Sequence, residues 1–224
     1  MKKTMFAAMA AAMLAAFCAR SAEPVFATDY ENAAAGIKIT EGVTGKGLLV
    51  SGSSKARPQK FMVPDVLKNE CGTVAFWFKP IAWDESYPRN LDLFHAKAGR
   101  SIVRIYKNAV NLKSSMSRKL VFLYGQSKNA SGGPGFQRVA APASLYGKGN
   151  WTFVAATWSN GRINLYVNGR LIASNEMAEP IKPISEFTIG DASAGADTAF
   201  DNVAIYDKAL TEEEISALCK SARR

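Results

Sequence analysis

Trp151–Asn175 reads WTFVAATWSNGRINLYVNGRLIASN. The run carries two Asn-Gly pairs, Asn160-Gly161 and Asn168-Gly169, each between strand-like segments. Asn-Gly favours the two-residue type I′ turn, because both central residues must take positive φ. Between the pairs, Arg162–Val167 alternates polar and apolar with period two, as a half-buried strand does. A tight antiparallel meander is therefore predicted, with strands near 151–159, 162–167 and 170–174. Ile163, Leu165 and Val167 share one face of its middle strand; Arg162, Asn164 and Tyr166 share the other.

Working outward, Gly72-Thr-Val-Ala-Phe-Trp-Phe-Lys-Pro80 puts Val74, Phe76 and Phe78 on one face and Ala75 and Trp77 on the other. A strand apolar on both faces is usually covered twice, which makes Trp77 a core residue. Short strands are also predicted at 25–27, 48–51, 61–63 (broken by Pro64-Asp65), 91–96, 102–106, 110–113 and 120–124. Near the C-terminus, Thr211 with Glu214 three residues on forms a capping box. Glu212–Glu214 place three acids in a first helical turn, where the dipole favours them. Ile215, Leu218 and Cys219 form the inward face of that short helix.

Four segments, in this order, carry a resemblance: Gly42-Val-Thr-Gly-Lys-Gly-Leu-Leu-Val-Ser-Gly52, Gly72–Pro80, the meander, and Phe187-Thr-Ile-Gly190 with Phe200–Ile215. They are similar to the Gly-Lys-Ala-Leu run, the Trp-x-Lys-Pro strand, the Leu-Tyr-Val-Asn-Gly centre and the closing Asp-Glu-Val-x-Ile-Tyr signature of laminin-G-like modules. Those modules belong to the concanavalin A-like lectin/glucanase superfamily. The resemblance implies an all-β fold: a two-sheet antiparallel jelly-roll sandwich of about 12–14 strands with one short C-terminal helix. It specifies fold more than function, because the superfamily hosts lectins, adhesion modules, hydrolases and lyases.

Residues 1–21 read as a signal peptide. Lys2-Lys3 precede a short Ala/Met/Leu/Phe run, and Ala19, Ser21 and Ala22 offer a cleavage site after Ser21 or Ala22. The run is too short to span a membrane. Phe17 before Cys18 argues against a lipidation box. Residues 22–224 then form one exported domain, secreted, periplasmic or on the cell surface. Cys71 and Cys219 form an even pair, either a disulfide or two buried thiols.

Charge is unevenly spread. Removing Lys2, Lys3 and Arg20 leaves 25 basic against 19 acidic residues. From Leu93 to Asn175 there are twelve Lys or Arg and no Asp or Glu. Such a band suits an anionic partner; it can equally be a solvated set of strand edges. Nucleic acid is not expected as the partner.

The chemistry of a two-carboxylate glucanase needs two acids about 5–5.5 Å apart. Asn90-Leu-Asp-Leu-Phe-His95 keeps only Asp92 of the superfamily's Glu-x-Asp-x-x-Glu strand, so no catalytic residue is assigned. His95 has no second ligand at zinc spacing. The resemblance also implies a candidate Ca²⁺, for which Asp191, Asp197 and Asp201 supply oxygen ligands; turn formation is the alternative role of those residues. The expected function is a non-enzymatic, lectin-like or cell-surface recognition module for a polysaccharide or glycoconjugate, with neutral and anionic glycans both open as ligands. Trp83, Tyr87, Arg104, Tyr106, Arg162 and Tyr166 are its candidate contacts, with aromatic faces for sugar rings and cations for acids. Two alternatives stand beside it: a surface assembly protein contacting another protein, and a polysaccharide hydrolase or lyase with an unfamiliar site.

Overall fold

The computed structural model describes residues 22–52, 56–111, 113–127, 135–177, 180–193 and 195–222. The expected signal peptide, with Cys18, lies outside these residues. The described chain is a sandwich of two antiparallel sheets with one C-terminal helix, as the jelly-roll expectation has it.

The larger sheet runs in the order β12 (Arg170–Glu176), β11 (Arg162–Val167), β10 (Thr152–Ser159), β5 (Gly72–Pro80), β14 (Thr198–Tyr206), β3 (Lys46–Val50) and β2 (Ile39–Glu41), with β1 (Phe26–Thr28) also paired to β14. The smaller sheet runs β4 (Gln59–Leu67), β13 (Ile184–Ile189), β6 (Leu91–Ala98), β7 (Ser101–Lys107), β8 (Leu120–Gln126) and β9 (Gly135–Ala141).

The meander forms as its sequence dictates. Asn160 and Gly161 have φ of 47° and 73°, Asn168 and Gly169 of 50° and 79°, the left-handed pairs that a type I′ turn requires. Ile163, Leu165 and Val167 enter the core between the sheets, together with Phe76, Phe78, Trp158, Phe94 and Phe122. Strand β5 is covered on both faces. Its Phe76 row meets the small sheet, and its Ala75/Trp77 row lies under helix α1 (Glu212–Ser221) with Phe153, Tyr166, Ile215 and Cys219. The capping box is formed in full: Thr211 accepts from the Glu214 N–H, and Glu214 accepts from the Thr211 N–H.

Two strand expectations need correction. Pro64-Asp65 does not break its strand; β4 runs through it from Gln59 to Leu67 with Asp65 at φ 47° and a register shift opposite β13. Val110, Asn111 and Lys113, the described residues of the strand expected at 110–113, are not in a strand. They belong to the connection between β7 and β8, held by the Ala109 N–H on Asn90 Oδ1 and the Asn111 N–H on Ser117 Oγ.

Candidate functional site

The outer face of the small sheet follows from strand parity and register. Val103, Ile105, Phe122 and Val139 point into the core, so the residues between them point away from it. A bulge between Asp92 and Phe94 lets Asp92 and His95 both face outward on β6. Register then builds two rungs across β6 to β9: His95–Arg104–Leu123–Arg138 and Asp92–Tyr106–Val121–Ala140. Tyr106, Val121 and Leu123 form a small apolar patch there, with Ile102, Phe136 and Ala140 packed against it.

Residues 108–111 and 113–119 fold beside this face. Their ends are joined by the Asn108 N–H on the Lys119 carbonyl, and Asn108 Nδ2 donates to the Met116 carbonyl. Loop and sheet enclose an open cleft of about 420 Å³, with Arg104, Tyr106, Leu123 and Arg138 from the sheet and Asn108 and Asn111 from the loop. Among the described residues no Asp or Glu lines it, and Arg104 is paired with Asp92 behind it, so Arg138 carries its net positive charge.

The two arginines of the cleft are unlike. Arg104 donates through Nε to Asp92 Oδ1, and its guanidinium lies 4.2 Å from the Tyr106 ring centroid. Burial raises the Asp92 pKa, with the Asp191 charge adding to it, while Arg104 and His95 oppose the rise. Burial lowers that of His95, which Asp92 partly offsets. Asp92, His95, Arg104 and Asp191 are thus one electrostatic group. Arg138 is exposed and lies 4.8 Å from the Phe136 ring centroid. Among the described residues no carboxylate pairs with it.

The six residues expected to contact a ligand fall in three places. Only Arg104 and Tyr106 share the cleft. Trp83 is not a stacking platform: it is 2% exposed, packs parallel to Phe78, and donates from Nε1 to Thr198 Oγ1. Tyr87 is half-buried against the core, and its carbonyl accepts from the buried Lys107 ammonium. Arg162 and Tyr166 belong to the opposite outer face, where Tyr166 is covered by α1. Arg138 and the loop amides were missed by sequence reasoning. The alternation Phe136-x-Arg138-x-Ala140 against Val139 and Ala141 is a strand signal that could have found Arg138.

Asp191, Asp197 and Asp201 do not converge. Asp191 accepts from the N–H groups of Ser193 and Asp92 at the end of β13. Asp197 meets the Ile81 and Ala82 N–H groups through its backbone carbonyl. Asp201, on the large sheet, is fully buried and accepts three N–H groups, from Val43, Thr44 and Asn202. A carboxylate facing N–H donors is poorly disposed to a cation, and among the described residues no group of three or more His, Cys, Asp or Glu could hold a metal. These three residues do not fit the calcium expected of them. Nor are Cys71 and Cys219 bridged. Cys71 Sγ donates to the Asp207 carbonyl, and Cys219 is a thiol on α1 beneath Gly169.

A family model described as the concanavalin A-like lectin/glucanases superfamily, Laminin_G_3, matches residues 56–216. No curated protein sequence matches the chain significantly. Similar solved structures include the botulinum neurotoxin serotype G binding domain, at 10% identity and a TM-score of 0.66, over 89% of this chain and 51% of that one. The binding domain of botulinum neurotoxin DC, solved in complex with SialylT, matches at 18% identity and a TM-score of 0.64, over 83% and 44%. The binding domain of Paraclostridial Mosquitocidal Protein 1 matches at 16% and 0.61, over 84% and 46%. The chain thus spans about half the length of these structures, and at such identities the likeness is one of fold.

Proposed function

The chain belongs to the concanavalin A-like lectin/glucanase superfamily, and from that premise we propose that it is an exported, non-catalytic module that binds carbohydrate, the ligand being an anionic glycan seated on the outer face of the small sheet. One observation carries the reading: a cleft of about 420 Å³ with two guanidiniums, loop amides and, among the described residues, no acid in its lining. Polar groups converging on a concave surface are what orient a hydroxyl-rich ligand, and arginine suits its acidic groups. The structural likeness to toxin binding domains, one of them in complex with SialylT, agrees with a binding role. For acid–base chemistry the nearest carboxylate is that of Asp92, which is engaged by Arg104. Export rests on the character of residues 1–21; among the described residues no helix is long and apolar enough to cross a membrane.

The test is a glycan array probed with residues 22–224 at ~0.15 M salt, with and without chelator, and repeated at ~0.5 M salt. Selective binding to acidic glycans that survives chelator supports the proposal. A blank array, or signal spread evenly over every polyanion and lost at high salt, contradicts it.

A further inference from the structure

The inequality of the two arginines says how the acid is read. It rests on the carbohydrate-binding role proposed above. Arg104 has its charge compensated by Asp92, and its planar group occupies the Tyr106 face. With Tyr106 only 5% exposed, a sugar ring has no face there to stack on while Arg104 stays in place. Arg138, one rung position beyond Leu123, also lines the cleft, and among the described residues no carboxylate pairs with its guanidinium. Two strand spacings, about 10 Å, separate the backbones of the two arginines. A span of that order is long enough to admit one pyranose ring.

We infer that Arg138 is the specificity-determining residue of the cleft, seating a single monoanionic oxyacid group, carboxylate or sulfate, of one sugar unit, and that Arg104 is a positioning residue that closes the Tyr106 face. A guanidinium presents two parallel N–H groups to such an acid, which a lysine does not. Asp92 then limits the charge of the site: freeing Arg104 from it adds a second cation.

The experiment measures affinities of residues 22–224, wild type and variants, for a panel of uronate oligosaccharides, their carboxyl-reduced counterparts and sulfated neutral oligosaccharides. The wild type should bind the uronates or the sulfated set at least about tenfold tighter than the reduced set, the worth of one charged hydrogen-bonded contact. Arg138→Gln should abolish that ratio while leaving the residual affinity for reduced glycans, and Arg138→Lys should restore it only in part. Asp92→Asn should tighten acidic binding and steepen its salt dependence. Thermal unfolding of each variant checks that it is folded. The uronate and sulfate arms tell which acid is preferred. Wild-type binding to no glycan would overturn the carbohydrate role itself. Glycan binding whose acid preference survives Arg138→Gln, or is lost equally in Asp92→Asn, would overturn the assignment of Arg138 alone.

Discussion

The Arg104 guanidinium rests 4.2 Å from the Tyr106 ring centroid while Nε holds Asp92 on the neighbouring strand. The pair is partly buried, with side chains 23% and 21% exposed. Removing one partner of such a pair costs more than the pair contributes, because the other charge is left without its match. Arg104→Met should therefore destabilise by about 1–2 kcal/mol and Asp92→Asn by less, since burial already raises the Asp92 pKa. Urea unfolding of both variants checks this, and equal losses would contradict it.

Gly72 opens β5 opposite Trp158, and a Cβ placed on it would lie 2.1 Å from Trp158 Cζ2. That indole is fully buried and donates to the Lys68 carbonyl, so it has little room to yield. Gly72→Ala should cost roughly 2–3 kcal/mol, the upper part of the range for overpacking. A change below ~0.5 kcal/mol would show that the indole can move aside.

Lys107 is fully buried, with its ammonium on the Tyr87 carbonyl and near the Tyr87 ring. Burial pushes its pKa down to about 8; Asp84 and Glu85 oppose the shift, and Arg118 adds to it. A lysine depressed in the folded state costs stability while it is charged, and the cost fades as pH rises from about 8 towards the unfolded value near 10.4. Burial raises the pKa values of Tyr30, Tyr124 and Tyr146. The unfolded chain therefore gives up those protons first, and stability falls again above about pH 10. Unfolding free energy should rise between about pH 8 and 10, and Lys107→Met should remove the rise. A profile that is the same in wild type and variant would contradict this assignment.

Cys71 and Cys219 stand apart as thiols. Reductant should leave the melting temperature unchanged, whereas loss of a native disulfide typically costs 2–5 kcal/mol. A drop of several degrees on reduction would show that a bridge forms.

The sequence made legible what is local. Asn160-Gly161 and Asn168-Gly169 determine their turns through their own backbones, and Thr211 with Glu214 starts the helix with contacts three residues apart. The two-sided burial of β5 was readable from its apolar pattern alone. Residues whose roles depend on distant partners were not. Trp83 looks like a loop aromatic until Phe78, Tyr146 and Thr198 close around it. Arg138 gains its role only when register sets it across Leu123 from Arg104. The sequence 110–113 alternates like a strand, yet the bonds of Ala109 to Asn90 and of Asn111 to Ser117 hold Val110 and Asn111 in a loop instead. Asp191, Asp197 and Asp201 are close in sequence, yet Asp191 closes the end of β6 while Asp201 is drawn to the Val43-Thr44 turn across the larger sheet.

The most direct test of the small-sheet face is a hydrogen-exchange footprint of residues 22–224 with a saturating glycan taken from the array. Protection confined to 90–126 and 135–141, the cleft strands and their loop, and weakened in Arg138→Gln when the glycan is lowered to the wild-type Kd, is the expected result. Protection instead along 162–176 and the C-terminal helix, on the opposite face, would contradict it.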